Sequence, residues 1–148
     1  MLNLAAAKQY EKDFYVWLMT NVELLRQRRL TEIDVNNIAE ELESMGKRDK
    51  RELLSRLKVL LMHLLKWQFQ KNKRSKSWKS TINEQREQVD LVLIDSPSLK
   101  YQLIEKLQGA YCLALKAAIN ETNLPKKTFP DSCPYSLEQV LDDDFYPE

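Results

Sequence analysis

Two glycines, Gly46 and Gly109, serve a chain of 148 residues. Hairpins rely on residues that accept positive φ, so a sheet protein of this length would normally need more of them. The chain is thereby directed towards helices with few connections, and its apolar spacing agrees. Over residues 5–29, Tyr10, Phe14, Trp17, Leu18, Asn21, Leu24 and Leu25 recur at i, i+3, i+4 and i+7, which predicts one apolar helical face. Arg26, Arg28 and Arg29 complement the negative end of that helix. Thr31 and Asp34 are two N-cap choices for a second helix. Its stripe is Val35, Ile38, Ala39, Leu42 and Met45, with Glu41 at the edge. Gly46 either ends this helix or sits inside a longer one, because an internal glycine costs only about 1 kcal/mol.

The third helix is expected over residues 47–70 and is apolar around most of its circumference. Leu53, Leu57, Leu60, Leu61, Leu64 and Trp67 form one wide face, and Met62 and Phe69 a second. Helices of that kind sit centrally in a bundle. A fourth helix over 77–95 turns Trp78, Ile82, Gln85, Val89, Val92 and Leu93 inward. Ser96-Pro97 is a start signal for a fifth, continuing to about residue 123 through Leu99, Leu103, Leu107, Ala110, Ala114 and Ala117. Pro125, Pro130 and Pro134 make residues 124–135 an irregular strap. Ser136 and Gln139 then read as a capping box that opens a short last helix. The expected fold is all-α: a single domain over 1–148, with a helical body of four to five main helices over 1–123 and a C-terminal strap over 124–148.

Net charge is only +1, but it is unevenly spread. Residues 47–79 hold twelve Lys/Arg against Asp49 and Glu52, while residues 131–148 hold six acidic groups and no basic one. Such a local imbalance governs encounter with charged partners, unless the acidic end folds back over the basic middle. The opening residues lack the basic flank and apolar core of a secretory signal. The longest apolar run, 59–65, is interrupted by His63 and falls far short of the roughly 20 residues that span a bilayer. Cys112 and Cys133 have no CxxC spacing and are expected as reduced thiols. These features predict a cytoplasmic protein without a membrane partner.

Several segments carry a resemblance. AEELESMG (39–46), LLMHLLKWQ (60–68), RSKSWKSTINEQR (74–86), DSPSL (95–99) and FPDSCPYSLEQVLDDDFYP (129–147) closely resemble domain-of-unknown-function family 29, and YEKDFYVWL (10–18) fits its opening. The resemblance spans essentially the whole chain. It implies a compact all-helical domain of cyanobacterial type, and it brings no activity, cofactor or catalytic residue to carry over.

Three groups of residues invite a functional reading. Glu41, Arg56, His63, Lys66, Gln85 and Arg86 fall at or beside inward faces, and buried charges must be paired and hydrogen-bonded. They form either a register-fixing network or a small-ligand or enzymatic pocket, with Glu41 as base and an arginine gripping an anion. His63 is expected to meet a carboxylate across the bundle. A di-metal motif would need Glu at position 60, where Leu60 stands, and HExxH is absent. No metal, cofactor or catalytic residue is therefore assigned. Lys71, Lys73, Arg74, Lys76 and Lys79 surround Trp78 and make a candidate nucleic-acid or anionic-partner surface, although Trp78 shares the register of Ile82, Gln85 and Val89 and is expected in the core. Phe129, Tyr135, Phe145 and Tyr146 belong either to a fixed clamp or to a detachable strap. Nucleotide-binding glycine loops cannot be written with two isolated glycines. Taken together, these features predict a non-enzymatic interaction or regulatory module with protein as partner. Nucleic-acid binding is one alternative and a pocket the second, and the oligomeric state is left open.

Overall fold

The structure is a computed structural model that describes residues 4–148, so the first three residues of the signal reading lie outside it. Its elements are α1 (Leu4–Lys12), α2 (Phe14–Arg26), α3 (Val35–Phe69), α4 (Lys76–Asp95), α5 (Leu99–Thr122) and α6 (Leu137–Leu141). No strand occurs among the described residues, and the fold is all-α as expected. Contacts divide the chain into two compact units, Met1–Arg48 and Asp49–Glu148.

The first unit differs from expectation at its start. The helix expected over 5–29 is two helices, because Asp13 leaves helical geometry (φ −148°, ψ 88°) and its carboxylate accepts from the Val16 amide. That is the ordinary work of an N-cap aspartate. The arm made by α1 and α2 and the beginning of α3 run antiparallel as a hairpin, since Trp17 of α2 meets Asp34 whereas Tyr10 of α1, further back, meets Glu41, further on. The hairpin is pinned by polar bonds. Trp17 Nε1 donates to Asp34 Oδ2 (2.9 Å), and the Asp34 amide donates to Asn21 Oδ1 (2.9 Å). Asp34 also accepts from the Asn37 amide, so it takes the N-cap role that Thr31 competed for.

Gly46 does not break the chain. α3 runs unbroken for 35 residues, about 52 Å at 1.5 Å per residue.

In the second unit, Leu57, Leu60, Leu61, Leu64 and Leu65 of α3 are fully buried and meet Ile82 and Val89 of α4 and Leu103, Tyr111, Ala114 and Ala118 of α5. α5 begins at Leu99, two residues later than expected, because Ser96 closes α4 by donating its amide to Val92 O. Asn123 ends α5 in the left-handed conformation (φ 56°), a position that asparagine tolerates well. The capping box of Ser136 and Gln139 forms as read.

The C-terminal segment is built into the core. Phe129, Tyr135, Leu137 and Val140 are buried. Phe69 packs edge-on to Phe129 at 5.3 Å, and Tyr135 OH donates to Gln68 Oε1 at 2.7 Å. Burying each such side chain stabilises by roughly 1.5–3 kcal/mol.

Candidate functional site

Arg86 is the most deeply buried of the candidates, with none of its surface exposed. Its guanidinium hydrogen-bonds to backbone carbonyls rather than to a carboxylate. Nε donates to Val140 O (2.8 Å), Nη2 to Phe145 O (2.7 Å) and Gln139 O (3.5 Å), and Nη1 to Asp143 O (3.5 Å). The last carbonyls of a helix have no internal partner, and here the cation serves those at the end of α6. Burial lowers the Arg86 pKa from its ordinary value, opposed by Tyr146, Asp143 and Asp142. Arg74 does similar work: Nε donates to Trp67 O (2.8 Å) at the end of α3, and Nη2 to Pro147 O (3.2 Å). The acidic end therefore meets the basic middle mainly through backbone oxygens rather than through its carboxylates.

Tyr146 collects the remaining contacts. Its ring lies 5.1 Å from Trp67, with Lys79 Nζ at 5.3 Å and the Arg86 guanidinium at 5.4 Å, and its hydroxyl donates to Asn83 Oδ1 (2.7 Å). Beside it lies an open cleft of about 630 Å³ whose walls include Glu87, Asp90 and Asp143. Burial, reinforced by Asp143, raises the Asp90 pKa. Among the described residues no cluster of His, Cys, Asp or Glu is arranged to hold a metal ion.

The other candidates separate. Glu41 accepts from Tyr10 OH, which raises the tyrosine pKa. Arg56 bonds Glu52 (3.0 Å) and Gln85 (3.3 Å) beside a cleft of about 270 Å³. His63 does not meet a carboxylate in a hydrogen bond. Its Nδ1 lies 2.9 Å from Val59 O, one turn back on its own helix, so the backbone supplies the partner that burial demands. Desolvation lowers the His63 pKa despite that bond. Lys66 pairs with Glu121 (2.6 Å) and lies over the Trp78 ring at 4.7 Å. Trp78 is only half buried and stands outside the core expected for it. Of the basic residues, Lys71, Lys73 and Lys76 are exposed, whereas Arg74 and Lys79 are engaged with the chain itself. Only Arg56 and Gln85 of the expected network are brought together by a direct bond.

The surface that sequence reasoning placed inside is the one the structure leaves open. Phe14, Leu18, Leu25, Val35, Leu42 and Met45 belong to stripes expected to face inward, yet all are exposed, Val35 by 60% and Leu42 by 63%. On α2, Tyr15, Leu18, Val22 and Leu25 follow 3-4-3 spacing. On α3, Val35, Ile38, Leu42 and Met45 do the same. That is the spacing of a seam made for another helix.

The geometry of the hairpin joins the two seams. At about 100° per residue, the α2 seam lies roughly 100° round from the side bearing Trp17 and Asn21. The α3 seam lies about 70° round, in the same sense, from the side bearing Asp34 and Glu41. Because the helices are antiparallel, both seams emerge on one side of the hairpin. Ten of the fifteen exposed large apolar residues among those described lie within residues 14–45.

The structure thus combines an all-helical fold, a C-terminal segment built into the core of the second unit and an α2–α3 hairpin with an exposed apolar side. The chain belongs to the family described as domain of unknown function DUF29, whose model matches residues 9–146. No curated protein and no solved structure matches it. Among the described residues, no helix is long and apolar enough to cross a membrane.

Proposed function

We propose that this chain is a non-enzymatic interaction module that docks a helical partner on the α2–α3 hairpin. The observation that carries the reading is the pair of apolar seams, Tyr15-Leu18-Val22-Leu25 and Val35-Ile38-Leu42-Met45, on one side of the hairpin, exposed at every position but the half-buried Val22 and Ile38. Contiguous exposed apolar surface marks a place where another surface fits, and a 3-4-3 pattern specifies that the occupant is a helix. The pocket reading has less support, because Arg86 and His63 are satisfied by backbone oxygens. Free thiols at Cys112 and Cys133 are in keeping with work in the reducing cytoplasm.

Photo-crosslinking in the native host tests the reading. A benzophenone amino acid placed at Leu18 or Leu42 is expected to give an adduct of discrete mass. The same group at exposed Glu84 of α4 is expected to give none. Absence of an adduct at both hairpin positions, or the same adducts from all three sites, would count against the module.

A further inference from the structure

We infer that the occupant of the hairpin face is a second copy of this chain, an inference that rests on the interaction reading above. All eight seam positions are uncharged, so a facing helix must itself offer a neutral apolar seam of the same spacing. A second copy supplies one of matching length: α2 spans 13 residues, about 20 Å. The two hairpins meet face to face across a two-fold axis and contribute two helices each. That arrangement is the geometry of a four-helix bundle, and it is isologous, so it closes on itself and leaves no seam for further growth.

Area and charge agree. At roughly 150–200 Å² per large apolar side chain, the exposed parts of the seam residues Tyr15, Leu18, Leu25, Val35, Leu42 and Met45 amount to roughly 550 Å². The smaller specific interfaces take about 600 Å² from each partner, so with the half-buried Val22 and Ile38 the face reaches the size of one modest dimer contact. A net charge of +1 per chain sets up little long-range repulsion between copies.

The test is sedimentation of the purified full chain from about 1 to 100 µM, a range that brackets micromolar association. The expected result is a species of twice the 17.5 kDa chain mass. Leu18→Glu and Leu42→Glu are expected to weaken association about 30-fold or more, because each would bury an unpaired carboxylate in the apolar seam, with helicity by circular dichroism unchanged. Leu91→Glu, exposed on α4, is expected to leave the dimer intact. Because a glutamate variant that lost helicity would be uninformative, benzophenone at Leu42 of otherwise unaltered purified protein provides the second readout: an adduct of two chain masses.

A chain that stays at one mass throughout the range, or a dimer indifferent to both seam substitutions, overturns the inference. If the purified chain is monomeric while Leu42 crosslinks to a different protein in the host, the second copy is excluded and the interaction reading stands. If it is monomeric and crosslinks to nothing, both fall.

Discussion

His63 carries a testable consequence at the scale of a single residue. His63 is partly buried on α3, and desolvation lowers its pKa, with Lys66 acting in the same direction and the Val59 carbonyl and Glu121 opposing. A histidine whose folded pKa lies below its unfolded value of about 6.5 holds its proton less readily in the native state than in the unfolded chain. As pH falls below about 6.5 the unfolded chain takes up the proton first, so protonation draws the equilibrium towards unfolding. Stability is therefore expected to fall between pH 7 and pH 5.5, and His63→Gln is expected to lessen that fall. Thermal melts of both proteins at the two pH values measure it. An equal drop in the variant would mean that the native state tolerates the charged ring. The sequence reading set His63 at or beside an inward face and gave the ring a carboxylate partner, whereas it bonds Val59 O. What it could not reveal is that a helix offers its own carbonyl one turn back, which no side-chain pattern records.

Elements were legible where local chemistry decides them. The Ser136–Gln139 box and the end of α5 at Asn123 form as read because their partners lie within a few residues. Two boundaries were not. Asp13 divides the first helix because a cap wins over an unbroken apolar stripe, and Gly46 is absorbed into α3 because packing on either side outweighs a modest propensity cost. A Cβ at Gly46 would meet nothing within 4 Å, which makes it a clean site for a substitution. Gly46→Ala is expected to stabilise the chain by about 0.5–1 kcal/mol, read as a rise in urea midpoint with an unchanged slope. A loss of stability would show that α3 needs to bend there. The seams of α2 and α3 illustrate the opposite limit. Their periodicity announced burial, but periodicity does not say which chain supplies the burying surface.

For the whole molecule, the decisive question is how the C-terminal segment is held. Arg86 hydrogen-bonds to no carboxylate and instead gathers carbonyls from residues 139, 140, 143 and 145. Its contribution should exist only while that segment is in place. In the full chain, Arg86→Met leaves several buried carbonyls without donors, each costing about 1–3 kcal/mol, and total destabilisation of about 3 kcal/mol is expected. Lysine should restore little of it, because a single ammonium cannot reproduce the planar fork. Phe145→Ala combined with Tyr146→Ala loosens the same segment from its aromatic side, by Trp67 and Tyr135. If Arg86 works through the segment, its substitution costs less in that background, and the double-mutant cycle shows a coupling of about 1–3 kcal/mol. Urea unfolding of the four proteins measures the cycle. Strict additivity would mean that Arg86 stabilises the helices independently of the C-terminal segment, and the carbonyl contacts would then be a consequence of the fold rather than one of its supports.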